Sequence, residues 1–141
     1  MKLVVISYSH HGRGIGRIGC GLGHEIVGVM DEDGDARTQL EKEFGCPGFD
    51  TVRTCLDTVR PDAALITGKH TEIPSHIQAC VDRRIPYLVD KPFADCAARL
   101  RPVAEASEKH GVFSTLTLPN RASKIVAIIK KMVADGSLGK L

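Results

Sequence analysis

The sequence predicts an α/β fold, a doubly wound parallel sheet with helices on both faces. Three observations carry this. Short apolar runs alternate with helix-compatible segments along the whole chain. Those runs are unbroken stretches of Val, Ile and Leu rather than polar–apolar alternations, as strands covered on both faces require. The chain has 141 residues, enough for one domain with its own core, and alternation at this spacing implies right-handed crossovers between parallel strands.

Lys2–Ser7 reads as a buried first strand. The Gly-rich stretch Gly12–Gly23 follows as a helix, in which Ile15, Ile18 and Leu22 recur at helical spacing and are expected to hold one face to the sheet. Its glycines, each about 1 kcal/mol worse than Ala in a helix interior, predict a helix that is loose without ligand. Glu25–Met30 is a strand, Asp35–Phe44 a helix stopped by Gly45, and a short extended piece lies around Phe49. Val52–Val59 is a brief helix ahead of Pro61. Asp62–Thr67 is a strand, Ile73–Arg83 a helix and Pro86–Val89 a strand. Asp95 can cap a helix running to His110, with Gly111 as its stop and Pro102 bending it. Val112–Leu118 is a further strand. Ser123–Ala134 is an amphipathic helix with Ile125, Ile128, Ile129 and Met132 on one face. The strand–helix rhythm is complete by Pro119, so residues 1–120 read as one domain and 121–141 as the start of another unit.

A net charge of +2 sets up no field that would draw nucleic acid or a membrane surface, and the absence of Trp leaves little for stacking on bases. The opening apolar run is too short for a secretory core or a membrane span. Cys20, Cys46, Cys55, Cys80 and Cys96 form no Cys-x-x-Cys pair and are odd in number. That favours reduced thiols in a cytoplasmic protein over a disulfide framework or a zinc site.

A literal Gly-x-Gly-x-x-Gly occurs at Gly14, Gly16 and Gly19, and it is a decoy. The motif works only where a strand ends and a helix begins, because the helix N-terminus must face a pyrophosphate. The first strand ends near Ser7, well before Gly14. The phosphate loop therefore falls at Ser7-Tyr8-Ser9-His10-His11-Gly12, with Ser7 and Ser9 in the first two glycine places and Gly12 in the third. Serine is small and its hydroxyl can bond a phosphate, although its Cβ holds the backbone farther off. A dinucleotide fold also wants an acid about 20 residues on, at the end of the second strand, to bond the ribose hydroxyls. Asp31 ends that strand, 19 residues after Gly12 but only 12 after Gly19. The shorter interval leaves too little chain for a helix, a turn and a strand. Glu32, Asp33 and Asp35 follow; this acidic cluster would repel a 2′-phosphate, which favours NAD over NADP. A solvated turn feeding the next helix is the plain alternative.

With these positions in place, the sequence resembles the glucose-fructose oxidoreductase/inositol dehydrogenase (Gfo/Idh/MocA) family. The strongest match is Tyr87-Leu88-Val89-Asp90-Lys91-Pro92-Phe93-Ala94, where the family carries Glu-Lys-Pro and Asp90 replaces the Glu. The lead-in Ile77 through Pro86 is similar to the family's helix and turn. Ile6-Ser7-Tyr8-Ser9-His10-His11 resembles a branch in which serine and histidine replace the glycine fingerprint. Arg121 through Lys140 is similar to the helix leading out of the cofactor domain. Where the family often has Thr-Pro-Asn, this chain has Thr67-Gly68-Lys69-His70. The resemblance implies a Rossmann domain followed by a second α/β domain that supplies the substrate pocket and usually the catalytic acid/base. The chain ends at Leu141, where that domain is expected to begin.

The cofactor site implied is Ser7, Tyr8, Ser9, His10, His11, Gly12, Asp31, Thr67, Gly68, His70, Asp90 and Lys91. Lys91, at a strand's carboxyl end, is the expected catalytic group. A cation there can polarise a substrate oxygen or orient the nicotinamide, with Asp90 tuning it; an ordinary surface lysine before a turn-forming proline is the alternative. No metal is expected, because His10, His11, His70 and His76 lack ligand spacing such as His-x-x-x-His. His76 and His110 read as helix-surface residues, His24 as a turn residue and the cysteines as small core hydrophobes. Arg121 reaches the cofactor end by resemblance or faces solvent.

The function implied is hydride transfer between a nicotinamide cofactor and a sugar, polyol or related hydroxyl compound. The small-molecule substrate is expected to be held through the absent domain, so this chain should bind cofactor without turnover. A non-catalytic nucleotide- or CoA-binding module used for sensing stays open, as does a structural remnant packed on a partner. No nucleic-acid or membrane partner is expected, and a homodimer through the apolar face of the last helix is.

Overall fold

The computed structural model describes residues 1–7 and 11–139; Tyr8, Ser9, His10, Lys140 and Leu141 lie outside them. Six strands occur among the described residues: β1 (Lys2–Ile6), β2 (Glu25–Met30), β3 (Gly48–Phe49), β4 (Ala63–Ile66), β5 (Tyr87–Val89) and β6 (Ser114–Leu116). They form one all-parallel sheet in the order β3-β2-β1-β4-β5-β6. The intervening helices are α1 (Gly12–Gly21), α2 (Gly34–Phe44), α3 (Val52–Val59), α4 (Ile73–Asp82) and α5 (Ala97–His110). A one-turn 3-10 helix (Pro119–Ala122) and α6 (Lys124–Ala134) close the described chain.

The unbroken apolar runs are explained by two cores. On β1, Val4 and Ile6 point to one face, where they meet Leu56 of α3, Ile73 and Ile77 of α4 and Val103 of α5. Leu3 and Val5 point to the other, where they meet Leu40 and Phe44 of α2 and Ile15 of α1. A strand that faces two dry layers has no position left for a polar residue. The chain winds outward from β1 to β2 and β3, then restarts at β4 on the opposite side. The strand order thus reverses between β1 and β4, and the crevice outside their carboxyl ends is where open α/β sheets take ligands.

Local signals set most helix ends. Asp33 caps α2 by accepting from the N–H groups of Asp35 and Ala36, both at 2.9 Å, and Thr51 caps α3 through Thr54 N–H at 3.2 Å. Gly45 and Gly111 stop α2 and α5 in the left-handed conformation. The expected Asp95 cap is corrected. The capping position of α5 is Cys96, which makes no side-chain hydrogen bond. Asp95 lies one residue too early and pairs with Arg99 at 3.5 Å. The helix runs on through Pro102 to His110.

The largest correction concerns α1. Ile18 and Leu22 are 63% and 70% exposed; with Ile15 they border an open apolar groove whose other wall includes Leu3, Leu65 and Leu88 of the sheet. The packed face is made of Gly12, Gly16 and Gly19. A Cβ built on Gly16 would stand 2.6 Å from Cζ of Phe44 and 3.1 Å from Cγ2 of Val5. The glycines therefore let the helix axis approach β1 and α2 more closely than any side chain allows. Glu43 of α2 adds ion pairs to Arg13 and Arg17 on the flank of α1. Helical spacing alone shows that Ile15, Ile18 and Leu22 share a face; it cannot show that the neighbouring glycine face is the one packed closest.

The cysteines divide. Cys55 and Cys80 are buried, and burial pushes both thiols up to about 12. Cys20 and Cys96 are exposed instead of being core residues, and no cysteine is in a disulfide. Ile125, Ile128, Ile129 and Val133 of α6 are exposed. No helix among the described residues is long and apolar enough to cross a membrane.

The glycine face of α1 gives an opposed pair of outcomes. Gly16→Ala should destabilise the chain by about 1–3 kcal/mol, because Phe44 and Val5 must move. Gly14→Ala meets nothing within 4 Å and should stabilise by about 1 kcal/mol. Urea unfolding of the two variants checks both signs.

Candidate functional site

The crevice at the carboxyl ends of β1 and β4 is built by one tight junction. Ser7 leaves β1 with φ of 63°, a conformation non-glycine residues adopt at a cost. Its N–H donates to the Met30 carbonyl of β2 at 2.6 Å. Its carbonyl accepts from the Thr67 hydroxyl at 2.5 Å, and Thr67, just beyond β4, is fully buried. The first residue of α1 packs into this same corner. A Cβ on Gly12 would lie 2.6 Å from the Ser7 carbonyl oxygen and 2.8 Å from Thr67 Oγ1. Nor is there room for one on Gly68, which has φ of 126°: it would stand 2.5 Å from Ser7 Oγ.

The N-terminus of α1 is thereby fixed at the strand ends. Its cap residue His11 makes no capping hydrogen bond through its side chain, and its first turn holds no acidic residue. The backbone N–H groups of a helix's first turn and the positive end of its dipole suit an anionic group such as a phosphate. The missing side chains at Gly12 and Gly68 let the two segments close onto Ser7 and Thr67.

Two clefts flank this helix end. The first, of about 250 Å³, is lined by Ser7, Met30, Asp31, Glu32, Asp33, Ala36, Lys69, Glu72 and His76. Asp31 is held firmly there. Its N–H donates to the Phe49 carbonyl at 3.1 Å, Arg37 donates to its carbonyl at 2.8 Å, and its Oδ1 accepts from Asp33 N–H at 2.9 Å. Lys69 pairs with Glu72 at 2.9 Å, and that hydrogen bond raises the Lys69 pKa.

The second cleft, of about 480 Å³, is lined by His11, Gly14, Ile15, Ile18, Asp90, Lys91, Thr117, Leu118 and Pro119. Asp90 is buried in its wall. His11 Nδ1 donates to Asp90 Oδ2 at 2.7 Å, and the Thr117 hydroxyl donates to Oδ1. Burial pushes the Asp90 carboxyl up, but the hydrogen bonds from Thr117, His11 and the Lys91 backbone outweigh it. The group ends below the usual carboxylate range.

The model of the GFO_IDH_MocA family, described as an oxidoreductase family with an NAD-binding Rossmann fold, matches residues 5–117. The chain belongs to this family. Solved structures share the fold of this Gfo/Idh/MocA domain. The WlbA dehydrogenase from Bordetella pertussis, solved with NADH and UDP-GlcNAcA, has a TM-score of 0.87 at 19% identity, covering 99% of this chain and 41% of its own. An oxidoreductase from Agrobacterium radiobacter, solved with NAD+, L-tartaric acid and magnesium, has a TM-score of 0.85 at 14% identity, with coverages of 99% and 42%. The apo scyllo-inositol dehydrogenase from Lactobacillus casei has a TM-score of 0.83 at 14% identity, with coverages of 99% and 43%. The chain thus spans about two-fifths of the length of these structures. A comparison with curated proteins returns no match.

Within this Gfo/Idh/MocA domain the sequence-derived site residues are distributed unevenly. Ser7, Gly12, Thr67 and Gly68 meet in the junction. Asp31 lines the first cleft, and His11, Asp90 and Lys91 line the second. Tyr8, Ser9 and His10 fall outside the described residues. His70 is exposed and lines neither cleft. Lys91 is exposed, and Asp90 is engaged by His11 and Thr117; no Asp90–Lys91 ion pair occurs among the described residues.

Two residues escape sequence reasoning. Thr117 had no signal beyond its place at the end of a strand. His76 is a correction: it is 4% exposed, inside the wall of the first cleft, and not on a helix surface. It lies three residues after Ile73 and four before Cys80, a helical spacing that places it on the buried side of α4.

Asp90 yields the next test. Asp90→Asn should cost about 1–3 kcal/mol at neutral pH, the range for buried hydrogen bonds to a charged group. A depressed carboxyl stabilises the fold above the unfolded-state value of about 4 and loses that contribution as pH falls through its folded value. The stability gap between wild type and Asp90→Asn should therefore close in acid, as denaturant melts from pH 7 downwards would record.

Proposed function

We propose that this chain binds NAD and serves as the cofactor-binding part of an oxidoreductase acting on a hydroxylated small molecule, a sugar or polyol. The observation that carries the reading is the Ser7–Gly12–Thr67 junction. It brings the α1 N-terminus to the strand-order reversal, with the Asp31 carboxylate in the cleft alongside. A pyrophosphate at the α1 N-terminus and a ribose diol at Asp31 use both features in one ligand.

The sign of the charge in the first cleft supports NAD over NADP. Asp31, Glu32 and Asp33 line it, and the ammonium of Lys69 is already paired with Glu72. A 2′-phosphate would bring further negative charge among these carboxylates. The second cleft supports the assignment of the reacting end. Lys91 lines it next to a His11–Asp90 pair. A bound nicotinamide supplies the hydride chemistry; on this reading Lys91 holds positive charge toward the substrate oxygen, and Asp90 orients His11 beside it. Fold neighbours solved with NADH or NAD+ and hydroxylated compounds favour the same class.

Fluorescence titration of the chain with NADH and NADPH tests the reading. NADH should bind saturably and more tightly than NADPH. Asp31→Ala should weaken NADH binding about tenfold, equivalent to about 1.4 kcal/mol, and narrow the preference over NADPH. Absence of saturable NADH binding, or binding of CoA in its place, would overturn the proposal.

A further inference from the structure

We infer that Thr117 is a positioning residue of the site: through the Asp90 carboxylate it sets the tautomer and direction of His11, whose Nε2 accepts a hydrogen bond from the nicotinamide-riboside end of the dinucleotide. This rests on the NAD reading above and adds to it a residue that carries no cofactor signal in the sequence.

The three residues come from three strand ends. His11 follows β1 at the start of α1, Asp90 follows β5 and Thr117 follows β6. Asp90 is 7% exposed, and both of its oxygens are taken. Oδ1 accepts from the Thr117 hydroxyl and Oδ2 from His11 Nδ1, with the Lys91 backbone N–H as a further donor. Thr117 is held in turn by its own N–H, which donates to the Val89 carbonyl at 3.0 Å. The terminal torsion of a carboxylate is broad by itself, and a bond to each oxygen removes that freedom.

The consequence falls on His11. An ionised carboxylate only accepts, so Nδ1 carries the hydrogen, and in the neutral ring Nε2 is the acceptor. The two nitrogens lie on opposite sides of the ring, so an imidazole that turns Nδ1 to a buried wall turns Nε2 away from it. The His11 side chain is 54% exposed where it does so. His11 is also the cap residue of α1, yet its side chain makes no capping bond; it is drawn to Asp90 instead. The ring therefore borders both the α1 N-terminus and the cleft that it lines with Lys91. On the NAD reading that is the join between pyrophosphate and nicotinamide. A lone pair there suits a hydroxyl or amide donor of nicotinamide riboside, and not a phosphate, which itself accepts. Without the Thr117 hydroxyl the carboxylate can swing toward the Lys91 ammonium, and His11 loses its fixed tautomer.

The probes are NADH and ADP, which lacks the nicotinamide riboside, titrated against the chain as it stands. Thr117→Val should weaken NADH binding about three- to tenfold, the range of one hydrogen bond, and leave ADP affinity unchanged. Thr117→Ser, which restores the hydroxyl, should return NADH affinity to that of wild type. In ¹⁵N spectra of the neutral ring, His11 should carry its hydrogen on Nδ1 in wild type and exchange it between both nitrogens in Thr117→Val. Saturating wild type with NADH should move the Nε2 resonance and saturating it with ADP should not, a readout that needs no variant to fold. An unchanged NADH affinity or tautomer in folded Thr117→Val, an equal loss for both probes, no recovery in Thr117→Ser, or an Nε2 resonance unmoved by NADH would overturn the role of Thr117 while leaving NAD binding intact. Failure of wild type to bind NADH would overturn both.

Discussion

No Cβ fits at residue 12, and the rest of the site follows from that exclusion. The α-carbon of Gly12 is packed against the Ser7 carbonyl and the Thr67 hydroxyl, so the first turn of α1 is drawn onto the ends of β1 and β4. Thr67 makes the corner rigid. It is fully buried, its N–H donates to the Ile6 carbonyl at 2.9 Å, and its hydroxyl reaches the Ser7 carbonyl. A helix N-terminus held this way sets the positive end of its dipole at a defined place. The glycines at 16 and 19 extend the same close approach down the helix, so the axis is set along its length and not only at its tip.

That placement divides the crevice by charge. On one side lie Asp31, Glu32 and Asp33, beside the buried imidazole of His76; on the other lie Lys91 and the His11–Asp90 pair. The helix end between them is the positive centre. On the proposed reading, the two clefts do different work. The acidic one takes neutral ribose hydroxyls and repels a further phosphate. The one with Lys91 meets a substrate oxygen on which charge develops. The Asp90 carboxylate is spent on His11 and Thr117, which leaves Lys91 without a carboxylate partner among the described residues.

Much of the architecture was legible because it rests on composition at the scale of whole strands. Runs such as Leu3 to Ile6 are apolar at every position, and only a sheet with two dry faces uses that pattern. The interval from Gly12 to Asp31 was equally informative, since one helix, one turn and one strand need a minimum of chain. What was missed depends on contacts between distant segments. The apolar residues of α1 promised a buried face, yet Phe44 and Val5 occupy the space that only the neighbouring, glycine face can enter. His76 reads as polar and hence exposed until α4 is seen to turn its Ile73 and Ile77 side inward. Asp95 has cap chemistry one residue before the capping position. Thr117 matters through Asp90, 27 residues away, and no local pattern joins them.

The serine in the first glycine place shows why a fingerprint read along one segment misleads. At residue 7 the backbone adopts φ of 63°, where glycine would be at ease and serine is strained. Two backbone-directed hydrogen bonds, to the Met30 carbonyl and from Thr67, hold Ser7 there regardless. The volume its side chain fills is vacated elsewhere: Gly68 has no Cβ, and any Cβ there would fall 2.5 Å from Ser7 Oγ. The missing side chain has moved from the loop after β1 to the loop after β4. The requirement that one of two facing residues be bare is met by the pair, so neither segment carries the whole glycine pattern by itself.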